Sequence, residues 1–337
     1  MTIPLQAIIA FFVSLVLVLI FTPVAIPFLR KLKAGQQIIQ DMGPTWHKSK
    51  QGTPTMGGII FMGAVMVSYL ILAFTYYTGV TNGLSAGIIC LLTSFVFSLI
   101  GFCDDFLKIR KKNNAGLSEV QKMILQIVVS AAFLVFNAIR TGGSTVIRFD
   151  YPFFVDAIGG FEIDLGIFWY VLAMIIMVGF TNAVNITDGL DGLCTSVTIP
   201  VAIFFVVISA SRGSYDITVL SLALVGALIG FLVFNWHPCK IMMGDVGSMF
   251  LGGMVVTLAF SLDMPLVLLL VGIIYLIETF SVIIQRVYFK ITHGKRLFKM
   301  TPIHHSFEMS GWKEEKICIL FSGITVIACI IAVLLLI

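Results

Sequence analysis

The chain has 337 residues, of which 59% are hydrophobic and 11% charged, and its formal net charge is +4. Soluble globular domains carry about a quarter charged residues, so this composition excludes a soluble protein and indicates an integral membrane protein. The six cysteines are scattered and form no C-x-x-C pair, which favours neither a zinc site nor a disulfide framework. We expect the lipid bilayer as a partner, and no nucleic acid.

Ten apolar runs approach the ~20 residues that a membrane-spanning helix needs. They predict an all-α integral membrane protein with about ten transmembrane helices in a single domain over residues 1–337. The expected spans are 5–29, 56–77, 84–102, 119–139, 166–184, 196–211, 217–236, 248–263, 266–289 and 316–337. Two of them, 196–211 and 248–263, are short, and we expect each to take part of its first turn from the polar segment before it.

The basic residues predict the orientation of these spans. Every Lys and Arg except Arg140, Arg148 and Arg212 lies in or beside a connector that follows an odd-numbered span. By the positive-inside rule these connectors are cytoplasmic, so both termini are expected outside. The outer loop 140–165 contains two alternating stretches around a Gly-Gly pair, which predicts a small β-hairpin.

The segment Asn182–Gly192 is unusually polar for a stretch between two apolar runs. Carboxylates and carboxamides at a membrane border are costly, so we interpret them first as functional. Gly189 and Gly192 predict that a helix breaks here and exposes its backbone. The alternative is a polar turn that only connects two spans.

Five aspartates fall at one membrane depth, in three separate connectors. They are Asp104, Asp105, Asp188, Asp191 and Asp245. Short carboxylates that converge from several segments suit a hard divalent cation such as Mg²⁺, which prefers oxygen ligands. Adjacent residues on a helix point about 100° apart, so we do not expect Asp104 and Asp105 to do the same job.

Other residues on the same side suit phosphate groups. Gly244 and Gly247 flank Asp245 and would let backbone N–H groups approach a phosphate. Lys108 and the pair His304-His305 add cationic or hydrogen-bonding side chains, although the histidines could equally be a solvated loop pair. This combination predicts metal-assisted phosphoryl transfer at the cytoplasmic membrane surface, with one soluble substrate and one lipid phosphate.

Glu278 lies within the ninth expected span. A carboxyl group at membrane depth indicates function by default. It could equally hydrogen-bond to a neighbouring helix, and the sequence leaves both interpretations open.

Several motifs in order along nearly the whole chain resemble one family, the phospho-N-acetylmuramoyl-pentapeptide transferases. This family lies within the polyprenyl-phosphate N-acetylhexosamine 1-phosphate transferases. The matching motifs are Lys48 with Gly52–Gly58, Asp104–Lys108, Asn182–Gly192, Phe234–Pro238, Met243–Ser248, Pro302–Glu308 and Gly311-Trp312. The histidine-bearing motif favours this branch over relatives that use UDP-N-acetylglucosamine.

The resemblance implies a ten-span fold, usually a homodimer, in a bacterial inner membrane with the active site in a cytoplasmic cleft. It also implies the reaction. Phospho-MurNAc-pentapeptide moves from its UDP carrier to undecaprenyl phosphate, which yields lipid I and UMP and requires Mg²⁺.

The resemblance also implies roles for individual residues. Asp245 is expected to bind magnesium, and Asp104 and Asp105 to serve the metal or the acceptor phosphate. Lys108 and Lys122 match basic residues near the phosphates. The positions associated with nucleotide-sugar binding are Lys48, Thr53, Asn182, Asn185, Asp188, Asp191, Gln285, His304 and His305.

The sequence departs from the family pattern in three places. Ser306 replaces the third histidine of the usual run of three. Met242 stands where many members place a phenylalanine that stacks on uracil; a thioether also packs on aromatic rings, but we expect weaker stacking. Cys239 follows Pro238 where alanine is common, and we infer no change of function from it.

Two mechanisms fit these residues. In the first, which we favour, the lipid phosphate attacks the β-phosphate of the UDP-sugar directly, and Asp104 helps to keep it deprotonated. In the second, an aspartate attacks first and forms a phosphoryl-enzyme. The rival functions are a related UDP-N-acetylglucosamine transferase and a polyanion transporter. The absence of a visible internal repeat and the location of the charges at one face argue against a transporter.

Overall fold

The computed structural model describes residues 3–31, 52–77, 85–111, 116–149, 155 and 159–337. Lys48 therefore lies outside the described residues. The helices in these ranges are α1 Leu5–Lys31, α2 Gly58–Tyr77, α3 Ala86–Lys111, α4 Glu119–Thr141, α5 Phe168–Thr187, α6 Leu193–Ser211, α7 Tyr215–Asn235, α8 Gly244–Ser261, α9 Leu268–Val271, α10 Ile273–Ile291, α11 Ile303–Glu308 and α12 Glu314–Leu336. A 3₁₀ turn, Pro265–Val267, precedes α9.

Helices occupy all ten positions that the hydropathy predicts, so the all-α membrane architecture is confirmed. Within the described part of the chain, eight helices are each long and apolar enough to cross a membrane. The second position holds α2, whose apolar part covers 58–72. The two short predicted spans begin earlier than their apolar runs, at Leu193 and Gly244, because polar residues supply the first turn as expected.

The ninth predicted span, 266–289, is not one straight helix. Pro265–Val271 and Ile273–Ile291 meet at Gly272 with a bend of 81°. The prediction of a continuous span is wrong here because hydropathy sums composition along the chain and contains no information about direction.

The loop 140–165 contains the predicted hairpin. Strand β1, Val146–Phe149, pairs antiparallel with β2, Phe161–Asp164, and Arg148 lies opposite Glu162. The Thr145 hydroxyl and the Gly166 N–H both donate to Asp164 Oδ1, at 2.5 and 2.9 Å. These bonds stabilise the carboxylate and lower the pKa of Asp164.

Helix α8 lies at the centre of the bundle. Its apolar window is 89% buried, against 28% for α1 and for α12. It packs mainly against α3 and α5, while α1, α6 and α7 form a second packed group beside it. Because α8 begins with Gly244-Asp245, the most enclosed helix of the bundle carries the predicted metal ligand in its first turn.

Several buried hydroxyl groups in these helices find partners within their own backbone. Thr22, Ser68 and Thr181 each donate to the carbonyl four residues earlier, at 2.6 to 2.7 Å. A lipid environment offers no water to satisfy such groups, so this local bonding lets polar residues occupy the apolar helices.

Candidate active site

The three aspartates at one end of the bundle meet. Helix α3 continues beyond the predicted span to Lys111, which places Asp104 and Asp105 near its end, and Asp245 faces them from α8. One carboxylate oxygen from each lies within 4.8 Å of the others. The side chain of Asp245 is 22% exposed and that of Asp104 only 4%, so Asp245 is the carboxylate that a solute reaches most easily.

Two lysines bridge these carboxylates. Lys108, one helical turn after Asp104, places its Nζ 2.5 Å from Asp104 Oδ2 and 3.0 Å from Asp245 Oδ2. Lys122, in the first turn of α4, places its Nζ 2.9 Å from the same Asp245 oxygen. The Lys122 turn is fixed by a capping box in which Ser118 and Gln121 exchange hydrogen bonds.

Backbone N–H groups orient two of the three carboxylates. The Leu117 N–H donates to Asp104 Oδ1 at 2.8 Å, and the Val246 N–H donates to Asp105 Oδ2 at 3.1 Å. Asp104 therefore faces the lysines while Asp105 holds the start of α8. The two neighbouring carboxylates thus have different partners, and the expectation that their roles differ stays a prediction.

Gly244 permits this close assembly. Its φ is +71°, and a Cβ built there would lie 2.6 Å from Asp105 Oδ2 and 2.7 Å from Thr55 Oγ1. A side chain would separate α8 from α3 and from the segment before α2. Only glycine combines this backbone conformation with the absence of a Cβ.

The polar stretch Asn182–Gly192 reaches the same site. Helix α5 ends at Thr187, and Gly192 has a φ of +75° before α6 begins, which confirms the predicted break. Asn185 Nδ2 donates to Asp245 Oδ1 at 3.1 Å and to Ser248 Oγ at 2.7 Å. Asn182 instead exchanges amide hydrogen bonds with Gln126 of α4, at 2.7 and 3.1 Å.

A second cluster forms around Asp191. Its Oδ2 lies 2.9 Å from His237 Nδ1 and accepts the Cys239 N–H at 3.1 Å. Glu314, the first residue of α12, accepts the Asp191 N–H at 3.1 Å and lies 3.7 Å from His237 Nδ1. Ligand atoms of Asp191, His237 and Glu314 lie within 4.8 Å of one another, so this group could also hold a metal ion.

The two histidines of α11 have different surroundings. His304 is completely buried, with Nδ1 3.0 Å from Glu278 Oε2, and its Nε2 faces Gly189, where any side chain would collide with the ring. The His305 ring lies 4.2 Å from that of His304, and its Nδ1 is 2.6 Å from Glu308 Oε2. His305 is therefore the more accessible of the two histidines, and His304 connects Glu278 to the polar stretch.

The remaining predicted residues are placed around these clusters. The Met242 N–H donates to the Pro54 carbonyl at 2.9 Å, which ties the Thr53 segment to the residues before Asp245. Gln285 Oε1 accepts the N–H groups of Leu297 and Phe298, each at 3.0 Å. Gln285 thus fixes the loop before α11. Asp188 is half-buried in the turn after α5.

Sequence reasoning missed several residues that complete the site. They are Gln126, His237, Ser248, Glu308 and Glu314. Gln126 and Glu314 sit at helix positions without any motif, so no local signal marks them. His237 and Glu308 lie inside motifs quoted above, and Ser248 ends one; attention to their polar side chains would have found them.

Comparisons with known proteins identify the family of this chain. Residues 87–263 match the Glycosyl transferase family 4 model, and the matched segment contains Asp104, Asp105 and Asp245. The class of the protein is therefore that of polytopic membrane proteins of glycosyl transferase family 4. Residues 50–62 match the phospho-N-acetylmuramoyl-pentapeptide-transferase signature 1.

Curated relatives narrow the class further. A Clostridium perfringens (strain SM101 / Type A) protein is 46% identical over 97% of this chain and 96% of its own length. A Listeria monocytogenes (strain EGD-e) protein is 41% identical over 96% of each chain. A Clostridium botulinum (strain Alaska E43) protein is 46% identical over 93% of this chain and 91% of its own. All three are named phospho-N-acetylmuramoyl-pentapeptide-transferase, and the chain belongs to this family.

Proposed function

We propose that the protein transfers phospho-MurNAc-pentapeptide from UDP-MurNAc-pentapeptide to undecaprenyl phosphate, which gives lipid I and UMP. The observation that carries this proposal is the cluster of three aspartates bridged by Lys108 and Lys122 in a chain of this family. Carboxylates that bind a cation, beside ammonium groups that bind phosphates, are what transfer between two anionic substrates requires.

The donor set of this cluster fits Mg²⁺. Its three carboxylates provide oxygen ligands from two helices, and Asp245 is the most exposed of them. With all groups ionised, the three aspartates and two lysines carry a formal charge of −1, which favours a dication. We propose that Asp245 is the principal ligand and that Asp104 or Asp105 completes the set. When bound, Mg²⁺ would neutralise the charge of the diphosphate.

The chain's own residues then supply positioning. Lys108 and Lys122 each have donors that can turn from the aspartates to phosphate oxygens once a substrate arrives. Asn185 holds Asp245 in place through its Nδ2. An oxygen of the lipid phosphate attacks the β-phosphorus, the bond from that phosphorus to the UMP oxygen breaks, and UMP leaves. Asp104, which faces the lysines, would keep the attacking phosphate deprotonated.

Nucleotide-sugar binding is assigned to residues around this centre. The residues proposed to bind the nucleotide-sugar lie in three places. Met242 precedes α8, Asp188 and Asp191 lie in the turn between α5 and α6, and His305 lies in α11. The contacts described above suggest indirect roles for Asn182, Gln285 and His304, which hold α4, the loop before α11 and the polar stretch. Lys48 and Thr53 stay predictions from the resemblance.

The location also belongs to the proposal. The cluster lies at the end of the bundle next to the basic connectors, so we place it at the cytoplasmic face of a bacterial cell membrane. Both termini then lie outside. We further propose that the whole chain forms one transferase domain and acts as a homodimer.

One assay tests the function against its rivals. Membranes containing the protein are incubated with radiolabelled UDP-MurNAc-pentapeptide, undecaprenyl phosphate and Mg²⁺. We expect a labelled lipid and one UMP per labelled lipid. Labelling from UDP-N-acetylglucosamine instead would identify the related transferase. Uptake of label without UMP release would identify a transporter. A muramoyl-phosphate adduct trapped on an aspartate in the absence of lipid would establish the covalent mechanism.

A further inference from the structure

A cavity of about 440 Å³ lies at the opposite end of the bundle from the three aspartates. Asp245 is in the first turn of α8, whereas Phe260, at the other end of this helix, lines the cavity. At 1.5 Å per residue, these positions are about 22 Å apart along the axis. The cavity is therefore at the other membrane surface and is separate from the proposed active site.

The walls of the cavity differ in polarity. One wall is apolar and consists of Trp169, Phe260, the broken ninth segment and the end of α12, including Leu266, Leu270 and Leu335. The other wall is polar and comes from the end of α4 and from the hairpin. Its members are Asn137, Arg140, Thr141, Ser144 and Arg148. A ligand that fits both walls must be amphipathic.

The charges in the lining indicate the sign of the ligand. The lining contains two guanidinium groups, Arg140 and Arg148, and one carboxylate, Asp263. An Arg140 terminal nitrogen (Nη2) holds Asp263 at 2.8 Å and the Phe260 carbonyl at 3.3 Å. Arg148 pairs through Nε with Glu162 at 3.1 Å, but its side chain is 61% exposed and its terminal nitrogens can still donate. Counted over the described lining residues alone, the formal charge is +1. Glu162, which is not among them, holds only Nε of Arg148, so a phosphodiester would bond to the terminal nitrogens of this guanidinium group.

The position of the cavity favours a lipid as the source of this phosphodiester. Helix ends and a tryptophan line it, and tryptophan is enriched at the membrane–water interface. Basic pockets between transmembrane helices bind anionic headgroups. The volume lies in the usual range for small-ligand sites, about 300 to 1,000 Å³, and is small for a whole lipid. It suits a headgroup and its glycerol, with the acyl chains leaving along the apolar wall.

We propose that this cavity binds the headgroup of phosphatidylglycerol. Arg140 and Arg148 donate to the phosphodiester oxygens. The headgroup hydroxyls bond to Asn137 and Asp263, whose amide and carboxylate can accept from them. The first methylenes of the acyl chains pack on Leu270 and its neighbours. This site does not depend on the transferase reaction, since none of its residues belongs to the aspartate cluster.

The test uses the purified full-length protein in detergent with short-chain dioctanoyl lipids. Native mass spectrometry counts bound phosphatidylglycerol, and phosphatidylcholine of equal chain length is the competing probe. We expect saturable binding of one phosphatidylglycerol per chain with at least a tenfold preference. Arg148→Gln should weaken this binding about tenfold, because it removes the charge-assisted hydrogen bonds from the guanidinium group to the phosphodiester.

A matched pair of variants separates the cavity from general lipid contact. Leu270→Trp fills the cavity and should abolish the bound lipid, whereas Leu269→Trp, at an adjacent residue that is 56% exposed and outside the lining, should leave it unchanged. Equal binding by both variants would overturn the proposal. Equal binding of both lipids to the unmodified protein would also overturn it, because it indicates ordinary boundary lipid.

Discussion

Two clusters among the described residues could hold a metal ion, and they differ in what already holds their carboxylates. In the Asp104–Asp105–Asp245 cluster, the partners of Asp245 include the flexible ammonium groups of Lys108 and Lys122. In the cluster of Asp191, His237 and Glu314, backbone N–H groups and an imidazole hold the carboxylates. The first set of partners can move to an arriving phosphate. The backbone N–H groups of the second cluster cannot move without disturbing the chain.

This difference assigns separate tasks to two groups with similar ligand geometry. Flexible ammonium groups beside an exposed carboxylate suit a reaction site, because they can change partner from the carboxylate to a substrate phosphate. Fixed donors around a buried carboxylate suit a site that positions a segment of chain. Here the fixed cluster joins the turn after α5, the loop after α7 and the start of α12. If this division is correct, substitutions in the first cluster should lower turnover more than substitutions in the second.

Asp245→Asn should abolish Mg²⁺-dependent turnover, with a loss of about 1,000-fold or more, because the most exposed carboxylate of the cluster disappears. Turnover is measured in detergent with labelled nucleotide-sugar. Asp263→Asn makes the same change just beyond the other end of α8 and serves as the control. Near-normal turnover of Asp245→Asn would disprove its role as a metal ligand.

Lys122→Gln should lower kcat about 10- to 100-fold, since one of two ammonium groups near Asp245 is lost. The same change removes a positive charge beside the proposed cation, so the apparent affinity for Mg²⁺ should rise while that for the lipid phosphate falls. Lys316→Gln, which removes a cation stacked 3.9 Å over Trp312, is the control. If both affinities moved in the same direction, Lys122 would act through structure and not through charge.

His237→Gln should raise the KM for the nucleotide-sugar about tenfold and leave kcat nearly unchanged. The Cys239 N–H still donates to Asp191 in this variant. The turn between α5 and α6 therefore loses one contact but keeps another. The Mg²⁺ dependence should not change. A changed Mg²⁺ requirement would show that the second cluster, and not only the first, holds the ion.

Met242→Phe should tighten the binding of uridine analogues about three- to tenfold, because an aromatic pair contributes about 0.5 to 1.5 kcal/mol beyond burial. Met242 belongs to the segment that runs from the second cluster to the first. Calorimetry measures the effect, and Met242→Leu, which adds no ring, should show no gain. No gain in Met242→Phe would make the stacking argument wrong.

Much of the fold follows from the sequence because hydropathy and charge act locally. The positions of the helices, the hairpin and the break near Gly192 are all determined by residues close in the chain. The bend at Gly272 is different, because the apolar run continues through it unchanged. Gly272, where the two pieces meet, packs against Phe180 of α5, where a Cβ would lie 2.6 Å from the ring. This contact between distant residues is not contained in one segment of sequence.

The site shows the same division between local and distant information. Asp104, Lys108 and Asp245 stand in motifs whose composition already indicates phosphate chemistry. Glu314 and Gln126 reach the site only because whole helices bring them there. The buried state of His304 was also beyond the sequence, since its neighbour His305 has the same side chain but lies nearer the surface.

Four glycines that line the site should be as sensitive to substitution as the catalytic aspartates. A Cβ at Gly101, Gly116, Gly189 or Gly244 would collide with Asp245, Asp104, His304 or Asp105, respectively. In a saturation-mutagenesis map scored by cell growth, these four positions should therefore tolerate as little change as the aspartates themselves. A map scored by the amount of folded protein would separate the two groups, because the aspartate-to-asparagine variants should accumulate normally while the glycine variants should not.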